Sequence, residues 1–439
     1  MKNWNKLKPQ ALEVWRLSLP AILTQITTIV MQYIDSAMVG ALGADASASI
    51  GLVASTTWLF NGVTYAVTAG FSVQVAHHIG AKQEKHARNT VKHGLLTALI
   101  ISIFLCILGL LISTPLPTWL KGNNSIKQDA SNYFFVFALM LPITQISGLC
   151  SSYLQCCGNM VTPSILNALM CLLDVILNAI FIPKYGVLGA GIGTTLACAI
   201  VSFAMFFACC LFNKTLTLRH RERLIFKKEI LQKALKIGSP VAVQEIAMCG
   251  AMVVSTAIIA PLGSVAVAAN SFAITAESLC YMPGYGIGTA ATTLVGRSYG
   301  ANNLKLAKRQ GNICTAMGGI FMAFTGVIMA LFCPYVFMFL TPDQAVRNLA
   351  TEVLRIGLIA EPLFGVSIAA AGALQGTGDT LVPSLMNLGS IWLVRIGLAL
   401  ILVKPLGLHG MWIAMAVELC IRGILMLWRQ KTSKYYKHK

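Results

Sequence analysis

Twelve long apolar runs, separated by short polar segments, constrain the fold of this 439-residue chain more than any other feature. A helix that crosses a bilayer needs about 20 mostly apolar residues. The runs cover roughly residues 17–42, 49–76, 94–118, 131–155, 163–183, 187–212, 238–262, 269–296, 312–338, 352–375, 383–403 and 408–428. Only 11% of the residues are charged, which is too few to cover the surface of a soluble protein. The sequence therefore predicts an all-α integral membrane protein.

The number of lysine and arginine residues alternates from one loop to the next along the chain, between few and many. If the N-terminus lies inside, 25 of them fall on the inner side and five in the outer loops: Lys121, Lys127, Lys184, Arg347 and Lys404. Because cytoplasmic loops carry the excess of these residues, both termini are predicted to be cytoplasmic, in a multi-pass protein of the plasma (inner) membrane. The same rule accounts for the net charge of +18, so no nucleic-acid partner is expected.

The two halves of the chain repeat each other at a constant offset of 220 residues. Matches include Leu42-Gly43 with Leu262-Gly263, Gly80-Ala81 with Gly300-Ala301, Pro142 with Pro362, and Leu154-Gln155 with Leu374-Gln375. Six helices per repeat give both halves the same orientation, which predicts two parallel six-helix repeats around a central cleft. The predicted parts are an N-terminal bundle (1–212), a basic cytoplasmic linker (213–237) and a C-terminal bundle (238–439). Rocking of the two bundles would open the cleft to alternate sides, and this architecture favours a transporter.

Acidic and amide side chains share helix faces in the first half of the chain. An acid in a spanning helix is costly and is therefore a functional candidate by default. Asp35 lies in the first run three residues after Gln32, and Asp174 lies in the fifth run four residues before Asn178. Such spacings place each pair on one helix face. The second run adds a milder polar face that includes Asn61.

Two carboxylates in a cavity of low dielectric suit an ion-coupled carrier, because a bound proton or sodium ion offsets both burial and mutual repulsion. The predicted ion-coupling residues are Asp35, Asp174, Asn178 and Gln32. The ion is H⁺ or Na⁺, with Na⁺ placed at the two aspartates, and no other metal or cofactor is expected. The alternative is that both aspartates only hydrogen-bond neighbouring helices.

The acids of the second half leave two interpretations open. Glu245, Glu277 and Glu361 could each help to bind a cationic substrate, or each could be a structural hydrogen-bonding group. Together with Gln25 and Asn61 they are the candidate substrate-binding residues. Glu361 directly precedes a proline, which predicts a kink at that point.

The thirteen cysteines are scattered through the apolar runs or stand side by side, without metal-ligand spacing. We interpret them as small residues that pack well between helices, and no disulfide framework is implied. Phosphate-binding glycine motifs are also missing from the sequence, and nothing in it resembles the active site of an enzyme.

Four segments carry a resemblance to a known family. They are LPAILTQITTIVMQYIDSAMVGALG in the first run, AATTLVGRSYGANNLKLAKR after the eighth, GALQGTGDTLVPSLMN after the tenth, and its counterpart YLQCCGNMVTPSILN after the fourth. With the duplicated layout, they make the chain resemble the multidrug and toxic compound extrusion (MATE) family over nearly its whole length. The resemblance implies a secondary antiporter that exports organic, often cationic and amphipathic compounds in exchange for H⁺ or Na⁺ by alternating access.

The resemblance also assigns roles to particular residues. Asp35 occupies the position of the family's coupling acid in helix 1, and Asp174 matches a helix 5 acid of the archaeal and DinF-like branches. In the NorM-like branch, acids of helices 7 and 10 bind the cation, but in this chain the helix 10 position is Phe364, and the helix 7 position is near Met248, with Glu245 one turn away. An ion site in the N-terminal half is therefore expected.

Two other functions stay open at this point. A lipid-linked oligosaccharide flippase of the related superfamily would use buried basic residues to bind a pyrophosphate, and Arg355, Arg395 and Arg422 lie in the runs. However, Arg395 lies at a similar depth to Glu418, which predicts a buried ion pair. A non-transporting receptor or scaffold would need no duplication with polar faces. The expected partners are a small organic substrate and membrane lipid, and the expected state is a monomer.

Overall fold

A computed structural model of the protein describes residues 4–218 and 225–436, and these are helical apart from short connections. The helices are α1 (Trp4–Gly40), α2 (Ala44–Gly80), α3 (Glu84–Ser113), α4 (Leu116–Trp119), α5 (Asn124–Cys156), α6 (Val161–Tyr185), α7 (Val187–Phe207), α8 (Lys228–Ile259), α9 (Ser264–Gly300), α10 (Leu304–Leu340), α11 (Gln344–Leu358), α12 (Glu361–Thr377), α13 (Leu381–Gly389), α14 (Gly397–Leu406) and α15 (Leu408–Thr432). π-Helical turns follow α7 (Ala208–Phe212) and join α13 to α14 (Ser390–Ile396). Two 3₁₀ turns, Ala260–Leu262 and Lys434–Tyr436, complete the described chain.

The number of membrane spans agrees with the prediction from the sequence. Within the described residues, eleven helices are long and apolar enough to cross a bilayer, and one bent pair of helices forms the twelfth span. The all-helical membrane fold with twelve spans is therefore confirmed.

The bent span lies where the sequence predicts a kink. The sequence predicts one span over 352–375, and the structure divides it into α11 and α12, which meet at an angle of 54°. Pro362 stands in the first turn of α12. Proline has no amide hydrogen to donate to the preceding turn, so it is tolerated at a helix start and breaks a helix interior.

The 220-residue repeat of the sequence is also a repeat of the backbone. Helices α2 and α9 both have 37 residues, and both of their ends differ by 220 in number. Each begins after a glycine with positive φ, Gly43 at 121° and Gly263 at 97°, a conformation that favours glycine because it lacks a Cβ atom. Each ends in the same way, with a positive φ of 57° at Lys82 and at Asn302.

The described residues form two compact units, each with its own core. One unit comprises residues 27–242, and the other comprises the residues before 27 together with those after 242, so the boundaries fall inside α1 and α8. The division by repeat into 1–212, 213–237 and 238–439 stays a prediction. Part of the expected linker, from Lys228 onward, belongs to α8 and is continuous with the next span.

Helices α2 and α8 approach each other closely through glycine. A Cβ atom on Gly70 would lie 2.5 Å from the carbonyl oxygen of Ala234, and one on Gly238 would lie 2.7 Å from that of Ala66. The side-chain amide of Gln74 donates a hydrogen bond to the Ile230 carbonyl at 3.1 Å. Small residues allow such backbone contact between membrane helices.

We expect Gly70→Leu to destabilise the protein by about 1–3 kcal/mol, because a larger side chain must push α8 away from α2. Gly51→Ala on the same helix is the control, since a Cβ atom there meets nothing within 4 Å. Thermal unfolding of the purified protein in detergent measures both effects. Equal melting temperatures for the two variants would contradict the close packing of α2 against α8.

Candidate functional site

Two aspartates and an asparagine meet between α1 and α6. The Asn178 side-chain nitrogen donates hydrogen bonds to Asp35 Oδ1 at 2.9 Å and to Asp174 Oδ2 at 3.3 Å. The two carboxyl groups also lie close enough to each other to interact electrostatically. The structure thus brings together three of the four predicted ion-coupling residues, across helices that are far apart in sequence.

The local helix geometry explains the position of each group. Asp174 and Asn178 are four residues apart on α6, so they point in one direction, and both are 0% exposed. Gly193 on α7 makes room for the amide, because a Cβ atom there would lie only 2.1 Å from Asn178 Oδ1. Tyr133 of α5 lies close enough to both aspartates for electrostatic interaction.

The electrostatics of this group favour the binding of a cation. Among the described residues, no lysine, arginine or histidine forms an ion pair with Asp35 or Asp174. The buried atoms Asp174 Oδ1 and Asn178 Oδ1 accept no hydrogen bond from any described residue. A buried carboxylate next to a half-buried one, without a basic partner, is costly, and either a proton or a cation bound by oxygen atoms offsets that cost.

The remaining residues predicted for the first half form no hydrogen bond with this group. Gln32 is exposed on α1 and hydrogen-bonds neither the aspartates nor Asn178. Asn61 is exposed on α2, and Gln25 is half-buried on α1.

We expect Gly193→Ala to impair ion coupling while both carboxylates remain, because the new methyl group displaces the amide that bridges them. Gly148→Ala is the control, since a Cβ atom there meets nothing within 4 Å. Ion-driven transport in proteoliposomes measures the effect. If Gly193→Ala kept the transport rate of Gly148→Ala, the bridging amide would have no role in coupling.

A second pair of buried acids lies in the other unit. Glu277 of α9 is 4% exposed and Glu361 at the start of α12 is 0% exposed, and the two interact electrostatically. Neither oxygen of Glu361 nor Oε1 of Glu277 has a hydrogen-bond partner among the described residues. The sequence named both as substrate candidates without indicating that they are neighbours. Glu245 is half-buried on α8, beside Gln244.

Glu418 holds two arginines in the same unit. Arg395 Nη2 lies 2.7 Å from Glu418 Oε2, and Arg422 Nε lies 3.0 Å from Glu418 Oε1. Ser390 donates a further hydrogen bond to Oε1 at 2.7 Å. The predicted Arg395–Glu418 ion pair is confirmed, but its second arginine was missed, although Arg422 follows Glu418 by one helical turn. The guanidinium of Arg422 also lies 5.2 Å from the ring centre of Phe364.

The family model described as MatE matches residues 20–180 and 240–401, one segment in each half of the chain. The chain belongs to the MatE family. This match confirms the resemblance seen in the sequence. The two matched segments begin 220 residues apart, which equals the offset of the internal repeat.

Similar proteins cover almost the entire chain. It is 28% identical to a probable multidrug resistance protein NorM of Thermotoga maritima, over 94% of this chain and 91% of that protein. It is 27% identical to the multidrug resistance protein NorM of Burkholderia vietnamiensis, over 96% and 94%.

Solved structures show the same fold. The outward-facing conformation of a multidrug resistance MATE family transporter of the MOP superfamily gives a TM-score of 0.92 at 22% identity, over 98% of this chain and 97% of that one. A MOP superfamily transporter from Pyrococcus furiosus gives 0.92 at 21% identity, with the same coverage.

Proposed function

We propose that this member of the MatE family is a secondary antiporter that exports organic, often cationic and amphipathic compounds in exchange for H⁺ or Na⁺. Family membership and the multidrug resistance relatives support the class of substrate. The observation that carries the ion coupling is the group of the half-buried Asp35 with the buried Asp174 and Asn178, which has no basic partner among the described residues.

The chemistry of the site supports ion exchange by alternating access. Two adjacent carboxylates repel each other, so an empty site favours either separation of the helices or uptake of a cation. A bound proton or Na⁺ removes the repulsion and allows α1 and α6 to stay in contact through Asn178. If the site opened alternately to the two sides of the membrane, cation entry would be coupled to substrate exit.

The substrate-binding candidates differ in how a substrate would reach them. Asn61 is exposed and Gln25 and Glu245 are half-buried, so a substrate could contact these side chains directly. Glu277 and Glu361 are buried, so they would bind a cationic substrate only after their helices move apart. We keep all five as proposed substrate residues, in a monomer of the plasma membrane with both termini in the cytoplasm.

The surroundings of the three arginines in the spans argue against the flippase alternative. Arg395 and Arg422 are both bound to Glu418, so both guanidinium groups already have a carboxylate partner and would have to leave it to bind a pyrophosphate. Arg355 lies exposed on α11.

Purified protein in liposomes tests the proposal directly. With an organic cation such as ethidium as the probe, we expect transport under an imposed H⁺ gradient or an imposed Na⁺ gradient, and its loss when an ionophore removes that gradient. Transport at the same rate without any gradient would contradict antiport. A complete absence of substrate-dependent ion flux would instead favour the receptor or scaffold.

A further inference from the structure

One cysteine of α5 and two consecutive cysteines that follow α7 meet in the core of the unit formed by residues 27–242. The sulfur atoms of Cys150, Cys209 and Cys210 all lie within 4.8 Å of one another, and each residue is 0% exposed. Cys150 belongs to α5, whereas the other two follow α7. The spacing of cysteines along the chain gave no sign of the cluster, because it forms only when these helices pack.

The backbone after α7 explains how two consecutive cysteines reach one neighbour. Successive side chains of an α-helix point about 100° apart, but residues Ala208–Phe212 form a wider π-helical turn. Such turns are rare and occur frequently at functional sites. The chain then folds back, since the Leu218 amide donates to the Cys210 carbonyl at 2.7 Å, and the fully buried side chain of Leu216 packs in the same cluster.

A buried tyrosine supplies a second, independent observation. Tyr153 follows Cys150 by one turn of α5 and is 0% exposed, yet its hydroxyl has no hydrogen-bond partner among the described residues. It lies close enough to all three thiols for electrostatic interaction. Gly94 makes room for it, because a Cβ atom there would lie only 1.9 Å from the hydroxyl oxygen. A buried hydroxyl without a partner is costly, so the core that holds the three thiols also contains a polar group that the described residues leave unsatisfied.

We propose that Cys150, Cys209 and Cys210 bind a thiophilic d¹⁰ metal ion through their three sulfur atoms, with Zn²⁺ as the representative ion. Zinc–sulfur bonds of about 2.3 Å in tetrahedral geometry place the sulfur atoms roughly 3.8 Å apart. Small movements of side chains therefore suffice to close the site. Soft thiolate ligands select such ions over Na⁺ or Mg²⁺, so this site is chemically distinct from the oxygen site at Asp35 and Asp174.

Binding would couple metal uptake to helix packing. Each thiol releases its proton to solvent as its sulfur–metal bond forms, with no change in oxidation state. The ion would join α5 to the π-helical turn after α7. That turn ends where the predicted basic linker (213–237) begins, so the ion would stabilise the end of the last span of the first repeat.

The test uses the full chain in detergent, with the ten cysteines outside the cluster replaced by alanine. Cd²⁺ is the probe, because its bonds to thiolate absorb in the ultraviolet. We expect one Cd²⁺ per chain with this absorption band, and displacement of Cd²⁺ by Zn²⁺. Adding Cys210→Ser should weaken binding more than about 100-fold, since even loss of an outer-shell partner typically costs 10–100-fold in metal affinity.

Single substitutions in the natural sequence keep the proposal testable if the ten-alanine variant does not fold. Zn²⁺ should raise the melting temperature of the wild type and of Cys314→Ser, a buried cysteine outside the cluster, but not that of Cys150→Ser. The proposal is overturned if Zn²⁺ stabilises Cys150→Ser as much as Cys314→Ser, or if the three-cysteine protein retains no Cd²⁺. It is overturned equally if freshly purified protein has lost two hydrogen atoms in mass, with Cys150 joined in a disulfide.

Discussion

Asp35→Asn is expected to abolish ion-driven transport while the protein still folds and binds its substrate. Asparagine has nearly the same shape and its oxygen can still accept the hydrogen bond from Asn178, but it carries no charge and takes up no proton. Coupling free energies between two ligands are about 1–3 kcal/mol, or 5–150-fold in affinity. We therefore expect the rate driven by an ion gradient to fall at least about tenfold, measured as substrate flux in proteoliposomes.

The paired acid and a surface acid make this experiment specific. Asp174→Asn should lose the same ion-driven flux, because one carboxylate alone lacks the neighbour whose repulsion favours cation uptake. Asp45→Asn changes an exposed acid at the start of α2 and should keep the wild-type rate. Substrate binding at equilibrium should persist in all three variants. Wild-type flux in both Asp35→Asn and Asp174→Asn would show that the group is structural.

The main elements of the fold and part of the site follow from the sequence for physical reasons. A bilayer requires about 20 apolar residues per span, so hydropathy counts the spans without knowledge of their contacts. An acid in such a span is costly, which makes Asp35 and Asp174 visible in the sequence. Hydropathy does not locate helix ends, because a helix continues beyond the bilayer with polar residues. The predicted run 131–155, for example, is helix α5 over Asn124–Cys156.

Contacts between helices are the part that the sequence does not reveal. Periodicity shows which residues share a helix face, but it does not show which neighbour that face meets. Glu277 and Glu361 interact electrostatically in the structure although they lie on α9 and α12. Gln32 shows the opposite case: it stands three residues from Asp35, yet it is exposed and forms no hydrogen bond with the site.

Glu418→Gln is expected to destabilise the protein by about 3–5 kcal/mol, the cost of removing one partner from a buried ion pair. Glutamine keeps the size of the side chain but leaves Arg395 and Arg422 without their counter-charge. The exposed fractions of these arginine side chains are 19% and 8%, so water cannot replace the lost interaction, least of all at Arg422. The measurements are the melting temperature in detergent and the yield of monodisperse protein.

Glu352→Gln is the matched control, because Glu352 pairs with His409 at 2.9 Å while 63% of its side chain is exposed. An exposed pair contributes about 0–1 kcal/mol, so this variant should melt close to the wild type.

A triple variant with Met in place of Glu418, Arg395 and Arg422 separates the cost of unpaired charge from the value of the ion pair. Buried ion pairs replaced by apolar residues are often neutral or more stable, so the triple variant should recover most of the stability that Glu418→Gln loses. Two results would show that the two arginines do not depend on Glu418 for neutralisation. One is the same melting temperature for Glu418→Gln and Glu352→Gln, and the other is a triple variant with the lowest melting temperature of all.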